Sequence, residues 1–538
     1  MIIGLFMKTK ICFSFKNVFV LLGLSFVYLI PRIVRLGFDI INIDYPLWDN
    51  RATNFFIYLK TFNFIETYRA SHPGVSLMWV GGGAIEIFSR LYEHFFQALP
   101  VINEYIIFPW RSLFIKLALV FSILFVYLLA AFLISRIFNK KSAVLFFIFL
   151  SLEPYVLAHD RIFHLEGLLT AFIFVSGLFS MYFWKKKELK YLVFAAIFAS
   201  FSFLTKTTGI FAFLFFFLCA VVMFNHEKKI LFRKTLAVFL GFVFLFCFFV
   251  FMFFPAMWVS PLDILSRMFL GNLSLLETGH SQYFLGNWSD NPGLLFYPLV
   301  FLFKSSPILT FWVFGFLAYV LWKLGVVKRT HKFSRKNLKE KVLIILFVLF
   351  YVVEISLSPK KVPRYILPIY PPLLLLMSIS FVEIYEKCKN LKKYIVIFMF
   401  LAVLSLVLTV HKTFPDFLAY TNPVLGGMKK ADYYIGNKHF GFGLREVADY
   451  MNKKPYANEI KLIFDGDGSI GPFFLGMSRN STYIYRDHIS TADYFLLPYY
   501  LLDTDAMYLE YKKDFVLEKV FNVNSYPYWY LFRNVRIE

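Results

Sequence analysis

Long apolar runs, separated by short polar connections, occupy the chain from its start to about residue 411. A helix needs about 20 predominantly apolar residues to cross a bilayer, so this pattern predicts roughly eleven transmembrane helices. They lie near residues 17–38, 111–138, 142–157, 165–184, 190–205, 207–224, 231–256, 308–326, 342–357, 364–383 and 394–411. No small-residue cleavage site follows the first run, so we expect it to be retained as a helix.

Basic clusters between the apolar runs predict the orientation, because cytoplasmic connections carry an excess of Lys and Arg. All of these clusters fall on one side if residues 39–110 form one long external loop. They are RIFNKK (136–141), KKKELK (185–190), EKKILFRK (227–234), KRTHKFSRKNLKEK (328–341) and KCKNLKK (387–393). The N-terminus is then cytoplasmic. The apolar segment GVSLMWVGGGAIEIF (74–88) would break this arrangement if it crossed the membrane, so we predict a membrane-surface or re-entrant helix there.

The pattern changes after the last apolar run. Residues 412–538 contain short alternating segments such as EIKLIFDGDG and YWYLFRN, broken by Gly, Asp and Asn, which is typical of a small α/β domain. We therefore expect a transmembrane domain, 1–411, followed by an extracytoplasmic C-terminal domain, 412–538. Within it, Leu444, Val447, Ala448 and Met451 are spaced as on one face of an amphipathic helix.

Composition supports a multi-pass cell-membrane protein. Of the 538 residues, 59% are hydrophobic, against about 45–50% in a typical soluble domain. The formal net charge of +22 is spread over the connections between apolar runs, so it indicates membrane orientation and not a nucleic-acid partner. The four cysteines show no CxxC or metal-type spacing, so they signal neither a disulfide framework nor a metal site.

Unusual polar segments gather on the predicted external face. Ionisable residues at a membrane are costly and usually functional, so several sets on one face indicate a site that opens outward. The segments are IDYPLWDNR, TYRASHPG, LEPYVLAHDRIFHLEG, TKTTG, ETGHSQYFLGNWSDNPG and SPKKVPRY. The leading alternative is a transporter or flippase of a lipid-linked substrate, although such carriers place charges at the midplane, often in repeated halves, and no repeat is visible. An inactive lipid-sensing scaffold is a further alternative.

Eight motifs, in order, resemble those of the protein O-mannosyltransferases, glycosyltransferase family 39 of the GT-C superfamily. The lipid A aminoarabinose transferases share this general plan. The motifs are DYPLW, TYRASHPGVSLMW, EPYVLAHDRIFHLEG, FLTKTTGIF, YFLGNW, FKSSPI, KKVPRYILPIYP and FPDFLAYTNPVLGG. The resemblance implies an inverting enzyme that moves a sugar from a polyprenyl-phosphate donor to a glycan, glycolipid or protein acceptor on the external face.

This chemistry calls for a base that accepts the acceptor's proton and for cations that stabilise the departing phosphate. By the resemblance, Asp44 is the base, but Tyr45 stands where the family usually has Glu. That departure favours a cell-envelope glycan or glycolipid acceptor over a protein. Asp49 is the alternative base, or else a helix-capping residue. The acidic residues form no local cluster, so we expect no divalent metal and no other cofactor.

Arginine suits phosphate, because its planar fork meets two oxygens at once. The resemblance assigns this role to Arg161, with Glu166 ordering it through an ion pair, and to Arg364. Lys361 and Tyr365, in the same KKVPRY motif, are further candidates for substrate binding. The simpler interpretation of such long basic side chains is snorkelling to lipid headgroups.

Three further basic residues are candidates for substrate binding. His72 occupies the family's phosphate-proximal loop, and Lys206 and Lys304 each lie at a predicted helix end. A structural hydrogen bond is the simpler role for His72, and snorkelling is the simpler role for the two lysines.

Overall fold

The computed structural model describes residues 15–98, 100, 105–223, 231–277, 281–326, 337–436, 440–464, 469–480, 492–502 and 506–536. Most of them are helical. The helices are α1 (Phe15–Ile33), α2 (Tyr45–Lys60), α3 (Val75–Phe96), α4 (Phe108–Ile137), α5 (Lys140–Leu152), α6 (Pro154–Arg161), α7 (Leu165–Lys186), α8 (Leu189–Thr205), α9 (Ile210–Met223), α10 (Leu231–Phe253), α11 (Ala256–Val259), α12 (Pro261–Glu277), α13 (Phe296–Lys304), α14 (Pro307–Val326), α15 (Leu338–Leu357), α16 (Tyr370–Lys387), α17 (Lys392–Thr413), α18 (Gly427–Ile435), α19 (Leu444–Met451) and α20 (Ala506–Tyr511).

The apolar helices confirm a polytopic α-helical membrane protein. Among the described residues, five segments are long and apolar enough to cross a membrane alone: Phe108–Ile137, Leu165–Lys186, Lys234–Phe253, Pro363–Lys387 and Lys389–Thr413. Helices α5 and α6 would together make a sixth, and four shorter apolar helices accompany them. The total of eleven spans and their orientation remain predictions.

Two predicted helices differ from the structure because of proline. The segment predicted as one helix over 142–157 is broken at Glu153, and α5 and α6 meet there at 67°. Pro154 lacks an N–H and forces the residue before it out of the helical region, and Glu153 accordingly has an extended backbone. The segment predicted to start as a helix at 364 begins as the 3₁₀ turn Pro363–Ile369. The helix predicted over 74–88 forms but extends to Phe96.

Helix α7 lies at the centre of the helical part. Its apolar stretch is buried along its whole length, and it packs against α4, α8, α9 and the Pro363–Ile369 turn. Phe179 of α7 stacks on Phe194 and Phe198 of α8, with ring centroids 5.2 and 5.7 Å apart. Because α7 is enclosed on all sides, the residues at its N-terminal end have defined positions.

A buried ion pair ties α1 to α6. Arg32 and Asp160 have fully buried side chains 2.8 Å apart, and the Tyr28 hydroxyl donates to the same carboxylate at 2.9 Å. Arg32 also donates to the backbone oxygens of Tyr28 and Ser151. These partners offset part of the desolvation of the two charges, although Asp160 Oδ1 has no hydrogen-bond partner among the described residues.

The C-terminal part contains the predicted sheet and helix. Five strands, β3 (Lys461–Phe464), β4 (Met477–Asn480), β5 (Tyr494–Pro498), β6 (Phe515–Val523) and β7 (Tyr526–Asn534), lie in the order β4-β3-β5-β7-β6. Strand β3 is parallel to β4 and β5, while β7 is antiparallel to β5 and β6. Helix α19 buries Leu444, Val447, Ala448 and Met451, which confirms its predicted apolar face. A separate hairpin joins β1 (Gln282–Phe284) and β2 (Asn287–Ser289).

The chain enters α19 across the loop that follows α1. Gly441 has a φ of +87°, and a side chain there would come within 2.2 Å of the Ile41 backbone oxygen. Only glycine allows so close an approach with this backbone conformation. The C-terminal part is therefore in contact with the segment that leads to Asp44.

Removing Asp160 should destabilise the fold strongly, because Arg32 would keep a buried charge without its carboxylate. We expect Asp160→Ala to lower the free energy of unfolding by about 3–5 kcal/mol, measured by denaturant unfolding in detergent. Lys60→Ala is the control, since Lys60 pairs with Glu86 at the surface and such pairs contribute at most about 1 kcal/mol. Equal effects of the two substitutions would contradict the assigned role of the buried pair.

Candidate functional site

Asp44 meets a histidine and an arginine from distant parts of the chain. It lies directly before α2, and its Oδ2 accepts hydrogen bonds from His164 Nε2 at 3.0 Å and Arg364 Nη2 at 3.4 Å. His164 directly precedes α7, and Arg364 is in the Pro363–Ile369 turn. The side chain of Asp44 is 27% exposed, so a substrate can reach this carboxylate.

Glu166, in the first turn of α7, is the buried centre of the same group. Its Oε1 lies 3.1 Å from Lys206 Nζ and 3.4 Å from Arg364 Nε, and its Oε2 contacts His164 Nδ1. Its side chain is only 1% exposed. We call Asp44, His164, Glu166, Lys206 and Arg364 the Glu166 cluster.

The surroundings of Asp44 and His164 shift their pKa values in opposite directions. Burial alone would raise the pKa of Asp44, but the hydrogen bond and charge of His164, together with Arg364, outweigh it and hold that pKa below its ordinary value. Burial alone would lower the pKa of His164, but Glu166 and Asp44 outweigh it and raise that pKa. At neutral pH Asp44 is therefore ionised and reachable, whereas Glu166 is enclosed by cations.

Aromatic rings cover the basic side of the cluster. Lys206 Nζ lies 3.6 Å from the centre of the Tyr365 ring, within the range of a favourable cation–π contact. The Arg364 guanidinium lies 5.1 Å from the Phe440 ring. Phe440 precedes Gly441 in the chain, so the C-terminal part supplies one wall of the cluster.

His72 is joined to the loop that carries Lys206. Its Nδ1 lies 3.2 Å from Thr207 Oγ1, and the neighbouring Gly74 donates its N–H to the Thr205 backbone oxygen. Gly74 has a φ of +62°, and a side chain there would overlap the Trp48 ring. Burial, and then Lys206 and other nearby cations, lower the pKa of His72 to about 3, so it is neutral at physiological pH.

Arg161 lies elsewhere than the sequence prediction suggests. Its guanidinium donates to the backbone oxygens of Pro31, Arg32 and Val34 and contacts the carboxylate of Asp39. Its side chain is buried, so these partners occupy both of its terminal nitrogens. The predicted ion pair with Glu166 is wrong, because Glu166 is paired within its own cluster.

Asp49 is likewise engaged away from the cluster. It contacts Arg111, which also donates to Thr53 at 3.0 Å. Asp49 lies inside α2, and Asp44 takes the N-cap position without a capping hydrogen bond from its side chain. The predicted capping role of Asp49 is therefore wrong, since its carboxylate neutralises a buried arginine instead.

Lys304 and Lys361 form hydrogen bonds outside the Glu166 cluster. Buried Lys304 donates to the Tyr420 oxygen at 3.1 Å. Lys361 donates to the Ser358 oxygen at 2.7 Å and to Asn291 Oδ1 at 3.0 Å. Both hold loops in place, and their predicted contact with substrate stays a prediction.

Sequence reasoning overlooked His164 and Asp39. His164 stands two residues before Glu166 in the quoted HLEG motif, and a polar residue directly before a buried helix was a usable signal. Asp39 binds Arg161 and, at 3.3 Å, Lys116, and no sequence spacing indicates that pairing. Among the described residues, no group of three or more His, Cys, Asp or Glu could hold a metal ion, and metal independence remains a prediction.

Comparisons with known proteins support the resemblance to GT-C glycosyltransferases. A family model described as dolichyl-phosphate-mannose-protein mannosyltransferase matches residues 103–254. The chain is similar in fold to ArnT from Cupriavidus metallidurans in the apo state, with 15% identity, a TM-score of 0.52, and coverage of 97% of this chain and 99% of that chain.

Two ligand-bound structures are also similar. ArnT bound to undecaprenyl phosphate has 15% identity, a TM-score of 0.49, and coverage of 96% of this chain and 98% of that chain. The archaeal oligosaccharyltransferase AglB from Archaeoglobus fulgidus, in complex with an inhibitory peptide and a dolichol-phosphate, has 14% identity, a TM-score of 0.45, and coverage of 92% and 70%. No curated protein sequence matches the chain.

The two histidines should respond to pH in opposite directions. Because the pKa of His164 is raised in the folded protein, protonated His164 stabilises the fold below pH 6.5. This contribution is lost as the pH rises through the pKa that His164 has in the folded protein. The pKa of His72, lowered to about 3, means that its contribution is lost as the pH falls below 6.5.

Thermal unfolding in detergent between pH 4.5 and 9 tests this for wild type, His164→Gln and His72→Gln. The stability advantage of wild type over His164→Gln should shrink as the pH rises, and its advantage over His72→Gln should shrink as the pH falls. A common trend in both variants would contradict the assigned environments.

Proposed function

We propose that this protein is an inverting glycosyltransferase that moves a sugar from a polyprenyl-phosphate donor to an acceptor on the external face of the membrane. The observation that carries the proposal is the geometry of Asp44. It is an ionised, reachable carboxylate, held by His164 and Arg364 beside a buried group of cations. A base next to a phosphate-binding set is what this transfer requires.

The donor class is supported by both the comparisons and the charges. The matching family model is described by a dolichyl-phosphate mannose donor, and ArnT, whose fold the chain shares, has also been solved with undecaprenyl phosphate. In this chain, Arg364 is 22% exposed, so its fork can meet phosphate oxygens. Neutral His72 can add a hydrogen bond without adding charge.

The transfer is a single displacement at the anomeric carbon. The acceptor hydroxyl attacks that carbon, its C–O bond forms as the bond to the phosphate oxygen breaks, and the hydroxyl proton passes to Asp44. Polyprenyl phosphate leaves as a stable anion, so no general acid is needed. Arg364 and Lys206 balance its charge, and attack opposite to the leaving group inverts the configuration.

Glu166 acts in this scheme as a positioning residue. Its buried carboxylate holds Lys206 and Arg364 near the phosphate and orients His164 toward Asp44. Preorganised charge of this kind needs no rearrangement when the phosphate leaves. His164 in turn keeps one oxygen of Asp44 occupied.

For the acceptor we propose a cell-envelope glycan or glycolipid. Tyr45, which stands where family members usually carry Glu, is buried between Phe108 and Phe163, with ring centroids 5.7 and 5.9 Å away. It therefore offers no second carboxylate beside Asp44 to orient a peptide acceptor. Hexose and pentose donors are both compatible with this site.

Asp44→Asn tests the base directly. Purified protein in lipid vesicles is given radiolabelled undecaprenyl-phosphate sugars and an envelope extract, and labelled products are quantified. Removing a general base should lower kcat by about 10²–10⁴-fold with little change in the KM for donor. The identity of the labelled product defines the acceptor.

Asp49→Asn is the matched control, since Asp49 pairs with Arg111 away from the cluster. It should retain most of the transfer activity per folded molecule. Equal loss in both variants would contradict the role of Asp44. No transfer by wild type, together with lipid uptake or flipping in the same vesicles, would favour the transporter alternative.

Arg364 and Arg161 should differ in their effect on donor binding. Arg364→Gln should weaken undecaprenyl phosphate binding by about 10–100-fold, as expected for lost charge-assisted hydrogen bonds. Arg161→Gln should lower the unfolding temperature and leave the affinity of the folded fraction unchanged, because its donors are occupied by backbone oxygens. Titration of the tryptophan fluorescence with lipid in detergent measures the affinity of each variant, and thermal unfolding measures its stability. Weaker lipid binding by folded Arg161→Gln, with unchanged binding by Arg364→Gln, would support the phosphate role of Arg161 instead.

A further inference from the structure

Glu354 is an acid in an apolar helix, and one of its carboxylate oxygens has no hydrogen-bond partner among the described residues. It lies one turn before the C-terminal end of the apolar helix α15 (Leu338–Leu357), and its Oε2 is buried without a hydrogen-bond partner in the described part of the chain. A buried polar group without a partner costs free energy, so a bound ligand that supplied a hydrogen-bond donor would offset this cost.

Other buried acids of the helical part contrast with it. Asp160 is paired with Arg32, Glu166 with Lys206, and Glu153 accepts two hydrogen bonds from Ser306. Each of these acids therefore has at least one ionic or hydrogen-bonding partner, although Asp160 Oδ1 is also buried without one. The unpartnered Oε2 of Glu354 is open to a ligand that brings its own hydrogen-bond donor.

Glu354 lies near the end of α15 that leads into the Pro363–Ile369 turn. Tyr351, one turn earlier on the same helix, is 1% exposed and lies within electrostatic range of Glu354, Tyr297, Glu166 and Tyr365. The end of α15 that carries Tyr351 and Glu354 is therefore close in the chain to the turn that carries Arg364.

The elements that carry these residues meet at one place. Helices α7, α13 and α15 all pack against the Pro363–Ile369 turn, which contains Arg364 and Tyr365. Tyr297, on α13, is fully buried, and its hydroxyl lies against the backbone of Val362, directly before the turn.

We propose that Glu354, with Tyr351 and Tyr297, binds the sugar of the lipid-linked donor. This inference rests on the proposed function and assigns the sugar-recognition part of the same site. Glu354 accepts hydrogen bonds from the sugar, either from hydroxyl groups or from an ammonium group. The anomeric carbon of this sugar then lies within reach of both Asp44 and the phosphate-binding cations.

Lipid binding in detergent separates sugar recognition from phosphate recognition. The probes are undecaprenyl phosphate alone and undecaprenyl phosphate carrying mannose, glucose, galactose or an amino pentose. Wild type should bind at least one sugar-linked lipid more tightly than the bare lipid. Glu354→Leu should weaken that lipid by about 10–100-fold, the size expected for a lost buried hydrogen bond to a charged group, and leave the bare lipid unchanged.

A second substitution identifies the group that Glu354 contacts. Gln keeps a hydrogen-bond acceptor but loses the charge. Glu354→Gln should therefore retain much of the affinity for a lipid whose sugar carries only hydroxyl groups. For a lipid that carries an amino sugar, its affinity should be as low as that of Glu354→Leu. Tyr351→Phe should weaken the same sugar-linked lipid to a smaller extent. Glu340→Gln is the control at the opposite end of α15, where Glu340 pairs with Lys185, and it should bind all lipids as wild type does.

Three outcomes would overturn the inference while leaving the proposed function intact. They are unchanged sugar-lipid affinity in Glu354→Leu, equal weakening of bare and sugar-linked lipids, and a wild type that binds all sugar-linked lipids no better than the bare lipid. If wild type bound no polyprenyl phosphate at all, the donor class itself would be wrong, and the proposed function would fail with it.

Discussion

The buried carboxylate of Glu166 is the interaction on which the rest of the site depends. It draws His164, Lys206 and Arg364 to one point at the end of the most enclosed helix. In a low-dielectric interior a charge must be paired or neutralised, and here one acid is shared by three basic side chains. The result is an excess of positive charge, which a bound phosphate would neutralise.

The need to pair buried charges also helps to position Asp44, the candidate base. Asp44 ends a segment that follows α1, and Arg161 joins the two by binding backbone oxygens at the end of α1 together with the Val34 oxygen and Asp39 of the segment. Asp39 is in turn paired with Lys116 of α4. Buried ion pairs thus contribute here to the position of a loop, because each pair is satisfied in only one arrangement of the backbone.

Division of labour between similar residues follows from their surroundings. Asp44 and Asp49 are five positions apart, yet one faces a histidine and remains reachable while the other neutralises Arg111. Arg161 and Arg364 carry the same group, but only Arg364 retains exposed surface beside an acid. Burial and the type of partner, more than the residue type, distinguish a candidate functional residue from one that stabilises the structure.

Sequence alone determined the helical membrane character, the C-terminal sheet region, the apolar face of α19 and the candidacy of Asp44, Lys206 and Arg364. Run length and periodicity carry the structural part of this information, because they reflect local hydrophobic burial, and the resemblance of the motifs implies the candidacy of the three site residues. The bend at Pro154 was also readable from proline chemistry. Only the tertiary structure decided that Glu166 pairs with Lys206 and Arg364, that Arg161 turns toward backbone oxygens, and that α15 packs against the turn that carries Arg364. These choices depend on how each helix is rotated and which buried charges meet, and both are set by packing against distant segments.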